Sequence, residues 1–460
     1  MAAKQKQNGF FKALKKEFGE IGQTYKEGDW ATWLSTLIFG LGAIVRKQFL
    51  VGFALLAGEG GIIAFIAAFG WQYFSKLNNL GSKGRGFNPD GTVYYGDNSF
   101  LILLYGLVTV FAFVALILLW RLNVKENYKE LKLIKEGKPL TGSKKTFKSL
   151  FDGNFDKTLL ALPVSGIFFF VVIPIIFMIC IAFTNYDAEH QAPAKLFTWV
   201  GLENFRTLFS MNVSGYGKTF FMILAWTLVW AFFATFLNYF LGMAVAMLIN
   251  RKGIKFKKMW RTILVMTIAV PQFVSLLYMY KLFTKDGLVN GLLLKLGWIQ
   301  EALPFWTDPT WAKVTIIVIN LWIGIPYLML IATGLLMNIP ADLYESATID
   351  GANGWQSFVH ITLPYMLFVT GPYLLTSYIG NLNNFNIIFL LTRGNPTSAG
   401  LAKSAGHTDL LITWLYKMTV DDTNYRMAAV IGIVVFVVTA VISLIVYGIL
   451  PSVKDEEGFQ

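Results

Sequence analysis

The chain has 460 residues, 55% of them hydrophobic and only 14% charged, and its mean hydropathy is +0.55. A soluble domain carries about 25% charged residues, so the composition excludes a soluble protein and points to an integral membrane protein. The net charge of +12 would suit nucleic acid. However, Lys and Arg are confined to particular loops, which membrane topology explains without a nucleic-acid partner.

Residues 1–28 are polar and basic, with Lys4, Lys6, Lys12, Lys15, Lys16 and Lys26 and no apolar core, so they read as a basic tail near anionic lipid and not as a cleavable signal. Residues 29–45 are apolar but short for a span, and Arg46 and Lys47 follow them. They read as an interfacial or re-entrant helix.

Eight apolar stretches then approach the roughly twenty residues a bilayer needs: 49–74, 99–120, 159–183, 219–248, 260–283, 312–336, 366–391 and 427–450. The expected fold is therefore an all-α polytopic membrane protein of about eight transmembrane helices. With the N-terminus inside, the inner side holds 25 Lys and Arg and the outer loops hold 12. This bias supports cytoplasmic N- and C-termini, the latter in a tail over 451–460. Pro271 and Pro326 fall within spans, remove helix hydrogen bonds and permit kinks. Cys180 stands alone in an apolar run and reads as a small core residue.

Glu59, in Gly58-Glu59-Gly60-Gly61, lies near the middle of the first span. An unpaired charge there costs about 2.5–3.5 kcal/mol on insertion scales. Glu59 is therefore protonated or faces another helix, and an ion-coupling carboxylate would suit a secondary transporter, the principal alternative function. A channel or scaffold is a second alternative.

No energy source is legible within the chain. Ser214-Gly215-Tyr216-Gly217-Lys218-Thr219 mimics the end of a phosphate-binding loop, but Asn212 stands where the first glycine belongs, and no buried strand precedes it. The sequon Asn212-Val213-Ser214 is uninformative. His190, His360 and His407 are scattered and offer no metal-ligand spacing. No catalytic residue, metal or cofactor site is expected in this chain.

Between the sixth and seventh spans lies a polar stretch, Asn338 to Pro364. Pro340 suits the first position of a helix, and Asp342 and Glu345 suit its positive end. Gly351 and Gly354 are expected to break it, a second short helix to run from about Trp355 to Ile361, and Pro364 to reset the chain. Two spans also carry polar registers: Asn320, Gly324 and Tyr327 in the sixth, and Ser377, Asn381 and Asn384 in the seventh, each at i, i+4, i+7. Such faces either line a hydroxyl-reading cavity, since Asn donates and accepts, or hold helices together. The spacing leaves both readings open.

Glu345-Ser346-Ala347, Asp350-Gly351-Ala352 and Ile361-Thr362-Leu363-Pro364 resemble the EAA loop of ABC-importer permeases, with Ser346 in place of the second Ala. The segment from Leu159 to Asp187, the stretches Asn320–Tyr327 and Ser377–Phe385, and Thr408-Asp409-Leu410-Leu411 resemble the larger transmembrane subunit of maltose/maltodextrin importers. The resemblance covers roughly 159–450.

The resemblance implies a six-helix permease core over 159–450, preceded by a tail and interfacial helix (1–48) and by two added N-terminal spans with a basic linker (49–158). It implies a bacterial cell-membrane subunit that passes maltose or maltodextrin delivered by an extracellular solute-binding protein. The further partners it implies are membrane lipid, a second homologous permease subunit and a dimer of ABC ATPase subunits that holds the ATP and Mg. Position by position, Asn320, Ile323, Gly324, Tyr327, Ser377, Gly380, Asn381 and Asn384 would contact the sugar. Glu345, Ser346, Ala347, Asp350, Gly351, Ala352 and Pro364 would couple to the ATPase within a cytoplasmic loop, 338–364. Gly380 departs from the maltose-binding member, which has an aromatic there, so a different oligosaccharide length or type stays open. The large outer domain that some members carry is absent between 184 and 218.

Overall fold

The computed structural model describes residues 2–140, 142–210, 215–251 and 253–449, with side chains from residue 15 onward. The sequon at Asn212 and the tail over 451–460 lie outside the described residues. The described residues are mostly helical, with a hairpin of two-residue strands, β1 (Gly86–Phe87) and β2 (Val93–Tyr94), and an isolated bridge between Thr184 and Trp199. Among the described residues, seven helices are long and apolar enough to cross a membrane, and a sharply bent pair stands where the fifth span is expected. The chain packs as two compact units, residues 1–199 and 200–460.

The first unit holds α1 (Ala2–Glu27), α2 (Trp30–Leu34), α3 (Leu41–Val45), α4 (Phe49–Phe74), α5 (Ser99–Lys135), α6 (Ser143–Ser149) and α7 (Phe155–Ile181). Small side chains let α4 approach α5: a Cβ on Gly70 would stand 2.6 Å from the Thr109 hydroxyl. Residues 29–45 form two five-residue helices and not one. At about 1.5 Å per residue each spans roughly 7–8 Å, far short of the ~30 Å hydrocarbon layer. Gly40, at φ +79, makes the turn between them, and a Cβ there would strike the Gly52 carbonyl.

This wedge is amphipathic across its thickness. Trp33, Leu34, Leu37 and Ile38 face outward, while its polar groups meet α4 and α5. Asn123 accepts from the Ser35 hydroxyl and the Gly40 N–H, both at 2.9 Å, and donates to the Ser35 carbonyl at 2.7 Å. Arg46 reaches Glu130 and Asp29, each at 2.7 Å. Glu59 is buried and accepts the Phe39 N–H at 2.7 Å. The carboxylate at mid-span thus faces protein, where it satisfies a backbone donor that would otherwise be orphaned.

The second unit comprises α8 (Glu203–Phe209), α9 (Tyr216–Asn250), α10 (Lys257–Ala269), α11 (Gln272–Leu282), α12 (Leu288–Lys295), α13 (Pro309–Leu336), α14 (Ala341–Ile349), α15 (Gly354–Leu382), α16 (Phe385–Leu391), α17 (Leu411–Val420) and α18 (Tyr425–Ile449). The expected span 260–283 is the bent pair: α10 and α11 meet at 94°. Pro271 removes a donor and drives Val270 to an extended ψ of 129°, so the helix stops instead of kinking. Pro326 lies inside an unbroken α13. The expected span 366–391 also differs. Its helix ends at Leu382, and Asn384 caps a separate α16 by accepting the Ile387 N–H.

One long helix, α9, runs through both apolar clusters of this unit. Its first half packs Trp226, Trp230 and Ala234 against Leu276, Ile316, Ile319, Ile387 and Ile388. Its second half packs Tyr239, Met243 and Ala246 against Leu328, Met329, Ala332, Met366 and Leu374. Gly242 brings α9 and α13 into backbone contact, since a Cβ there would stand 2.7 Å from Leu328 Cβ. Between the clusters, α9 contributes Thr235 and Asn238, and α13 contributes the stretch from Asn320 to Tyr327.

Candidate functional site

The polar residues expected from the sequence fall in this band between the two apolar clusters. Asn320 is buried on α13, and its Nδ2 has no partner. Ile323 is half-buried and packs against the first cluster. Gly324 faces α9, where a Cβ would stand 2.6 Å from Asn238 Nδ2. Tyr327 is half exposed. Its hydroxyl lies close enough to Tyr373 to interact electrostatically, and Tyr373 pairs with Ser377.

On α15, Gly380 is exposed, and a Cβ there would meet open space. Asn381 donates to the Thr235 hydroxyl at 3.0 Å and accepts from Asn384 Nδ2 at 3.2 Å. The seventh-span register is therefore not one helix face. Ser377 and Asn381 stand on α15, whereas Asn384 lies beyond its end and reaches back to Asn381. The two registers meet through residues that belong to neither: Thr235 and Asn238 from α9, and Tyr373 from α15. The signal for the first two was a pair of polar side chains three residues apart in an aromatic span, with Thr227 two turns earlier on the same face.

A different construction occupies the connection between α13 and α15. α14 runs from Ala341 to Ile349, with Pro340 at its N-cap and not at its first position. The helix closes through Ala352 N–H to the Ala347 carbonyl at 2.9 Å. Gly351 follows at φ +82, a left-handed conformation that ends helices and favours glycine. The second break expected at Gly354 is instead a start. Asn353 accepts the Gln356 N–H, and Gln356 returns a bond to the Asn353 N–H. From there the helix runs without interruption into the span. A π turn over Phe358–Thr362 gives Leu363 a bond to the Phe358 carbonyl, so Pro364 enters an open register and does not reset the chain.

The Tyr344 and Thr362 hydroxyls, 2.9 Å apart, tie the two limbs together. What remains outward is unusual for a short connection. Met337, Ile349 and Trp355 are 72%, 85% and 71% exposed, and Leu343 is nearly half exposed. Glu345, Ser346, Asp350 and Gly351 are exposed beside them, and Ala347 and Ala352 are half-buried. A preformed helix–turn–helix that presents apolar and acidic side chains, with no Lys or Arg, has the character of a docking surface.

Thr408-Asp409-Leu410-Leu411 serves the architecture of the α16–α17 connection. Asp409 is fully buried, 2.5 Å from Lys417, and accepts the Thr413 hydroxyl and the Gly406 N–H. Such a pair fixes a loop because its lone pairs are satisfied.

Long apolar helices around a layer of polar side chains, two of them joined by an exposed helix–turn–helix, make an integral membrane protein. The comparisons assign its family. Residues 238–455 match the binding-protein-dependent transport system inner membrane component. The galactooligosaccharides transport system permease protein GanP of Bacillus subtilis (strain 168) is 35% identical over 424 residues, 92% of this chain and 98% of that protein. The maltodextrin transport system permease protein MalC of Streptococcus pneumoniae serotype 4 is 35% identical over 434 residues, 92% of this chain and 96% of that one. A chain in the crystal structure of a bacterial ABC transporter involved in the import of the acidic polysaccharide alginate shares the fold. Its TM-score is 0.53 at 23% identity, over 67% of this chain and 99% of that chain. This chain belongs to the binding-protein-dependent inner-membrane components, the permease subunits of ABC importers.

Proposed function

We propose that the chain is one permease subunit of a heteromeric, ATP-driven oligosaccharide importer in the bacterial cell membrane, with both termini cytoplasmic, and that it passes maltose or maltodextrin. The observation that carries this reading is the polar band between two apolar clusters, where Asn320, Tyr327, Ser377, Asn381 and Asn384 gather. Amide and phenol groups match sugar hydroxyls and ring faces. Ile323 and Gly324 complete the α13 side. The exposed faces of Tyr327 and Gly380 belong against a second permease subunit.

An extracellular solute-binding protein delivers the sugar to an outward-open cavity. Closure of a partner ATPase dimer, which holds ATP and Mg, pushes the α14 hairpin through Glu345, Ser346, Ala347, Asp350, Gly351 and Ala352. The unbroken helix after Asn353 carries that push past Pro364 to Asn381. Ser346 places a small residue where the family motif has alanine, which keeps the hairpin slim enough to seat.

The name of the Bacillus subtilis relative favours a second reading of the substrate, a galacto-oligosaccharide. Uptake of labelled maltodextrins and galacto-oligosaccharides by the assembled transporter, with Asn381 intact and with Asn381→Leu, tests both. The expected result is saturable maltodextrin uptake that Asn381→Leu abolishes while the subunits still co-purify. Preference for galacto-oligosaccharides would replace the substrate, and unchanged uptake in Asn381→Leu would return this residue to helix packing.

A further inference from the structure

Asn238 stands on α9 directly after the π turn Phe233–Leu237. Its Nδ2 donates to the Ala234 carbonyl at 2.9 Å, which fixes the orientation of the amide and leaves Oδ1 as an acceptor. That oxygen is sealed from solvent and has no partner. The side chain is only 3% exposed. Across the helix contact, a Cβ on Gly324 would lie 2.6, 2.7 and 2.8 Å from three atoms of this amide. The glycine is therefore the notch into which Asn238 fits. One turn back along α13, Asn320 is 5% exposed, and its Nδ2 is a second sealed group without a partner, this time a donor.

An orphan acceptor and an orphan donor, both buried on facing helices, are a costly arrangement. They complement one chemical group that donates once and accepts once: an alcohol hydroxyl. The π turn fits this purpose. It sets Thr235 against Asn381 on α15 and, three residues on, Asn238 against Gly324 on α13, so one helix braces both polar registers.

We propose that Asn238 and Asn320 form a notch for a single carbohydrate hydroxyl, closed in this conformation, and that α9 is a third wall of the sugar path. The inference rests on the oligosaccharide reading above and deepens it. It assigns discrimination to a residue outside both sequence registers.

The test is uptake by the assembled transporter in proteoliposomes, with maltose and its monodeoxy derivatives as probes. The variants are Asn238→Leu, which removes the acceptor at similar volume, and the smaller polar Asn238→Thr as a second variant should the first fail to co-purify. The unaltered protein is expected to handle one monodeoxy derivative about tenfold worse in KM than maltose, the size of one hydrogen bond to a hydroxyl. Asn238→Leu should raise the KM for maltose by a similar factor and remove the discrimination against that one derivative. Asn238→Thr should retain part of it. A purely structural asparagine, or one that holds a water, would alter stability or maximal rate but leave the discrimination pattern intact, and that result overturns the proposal. Asn381→Leu serves as the reference. If it loses uptake while Asn238 variants keep the wild-type pattern, only the notch is refuted. If neither substitution affects uptake, the oligosaccharide site itself fails.

Discussion

Ile349→Asp isolates the docking role of the α14 hairpin. Ile349 is 85% exposed at the end of α14 and has no share in the ties that fold the hairpin, which run through Tyr344–Thr362 and Asn353–Gln356. The substitution therefore leaves the free subunit intact. If the residue is buried by the ATPase, complete burial of an isoleucine side chain contributes about 1.5–3 kcal/mol. A carboxylate at the same place forfeits that and adds a desolvation cost. The dissociation constant between the detergent-solubilised permease pair and the ATPase dimer should rise roughly ten- to hundredfold, at one decade per 1.4 kcal/mol. Titration by microscale thermophoresis or biolayer interferometry reads this directly. An unchanged constant, with the subunit still eluting as a folded species, would refute the argument that these exposed apolar side chains face a partner.

Glu59→Gln should leave uptake near the wild-type rate, because a glutamine carbonyl can still accept the Phe39 N–H. Glu59→Leu should loosen residues 29–48 to limited proteolysis. Loss of uptake in Glu59→Gln would favour ion coupling. Acidification should also release this wedge. Burial pushes the Asp29 carboxyl up, but hydrogen bonds from Thr32 and the charge of Arg46 outweigh it and hold the group below the usual carboxylate range. A depressed carboxylate contributes stability above its unfolded value near 4, and that contribution is lost as the pH falls through the folded value. Thermal unfolding should show an acid-side drop below about pH 4 that shrinks in Asp29→Asn, and an unaltered profile in that variant would contradict the assignment.

The membrane class, most of the spans and the helix–turn–helix after α13 were legible because each is written locally. Twenty apolar residues, or an acidic first turn and a glycine at positive φ, need no distant partner to be read. Prolines were not legible in the same way. Pro271 breaks its span by 94°, whereas Pro326 and Pro372 sit inside continuous helices, and Pro364 is absorbed by a π turn. The residue type is the same, and the outcome depends on whether neighbouring turns can re-satisfy the freed carbonyl. The candidate site was half legible. The registers of α13 and α15 follow from periodicity, but Thr235 and Asn238 acquire meaning only when α9 lies against both. Asn384 looked like a third helical position because sequence spacing carries no sign that the helix has already ended at Leu382.

This chain is expected to pass an oligosaccharide only when a second protein drives it through the α14 hairpin. Uptake of labelled maltodextrin into proteoliposomes should be measured with the permease pair, solute-binding protein and ATPase dimer, with and without enclosed ATP. Uptake should require ATP and be lost when the ATPase is omitted. Uptake at the full rate without ATP would contradict it.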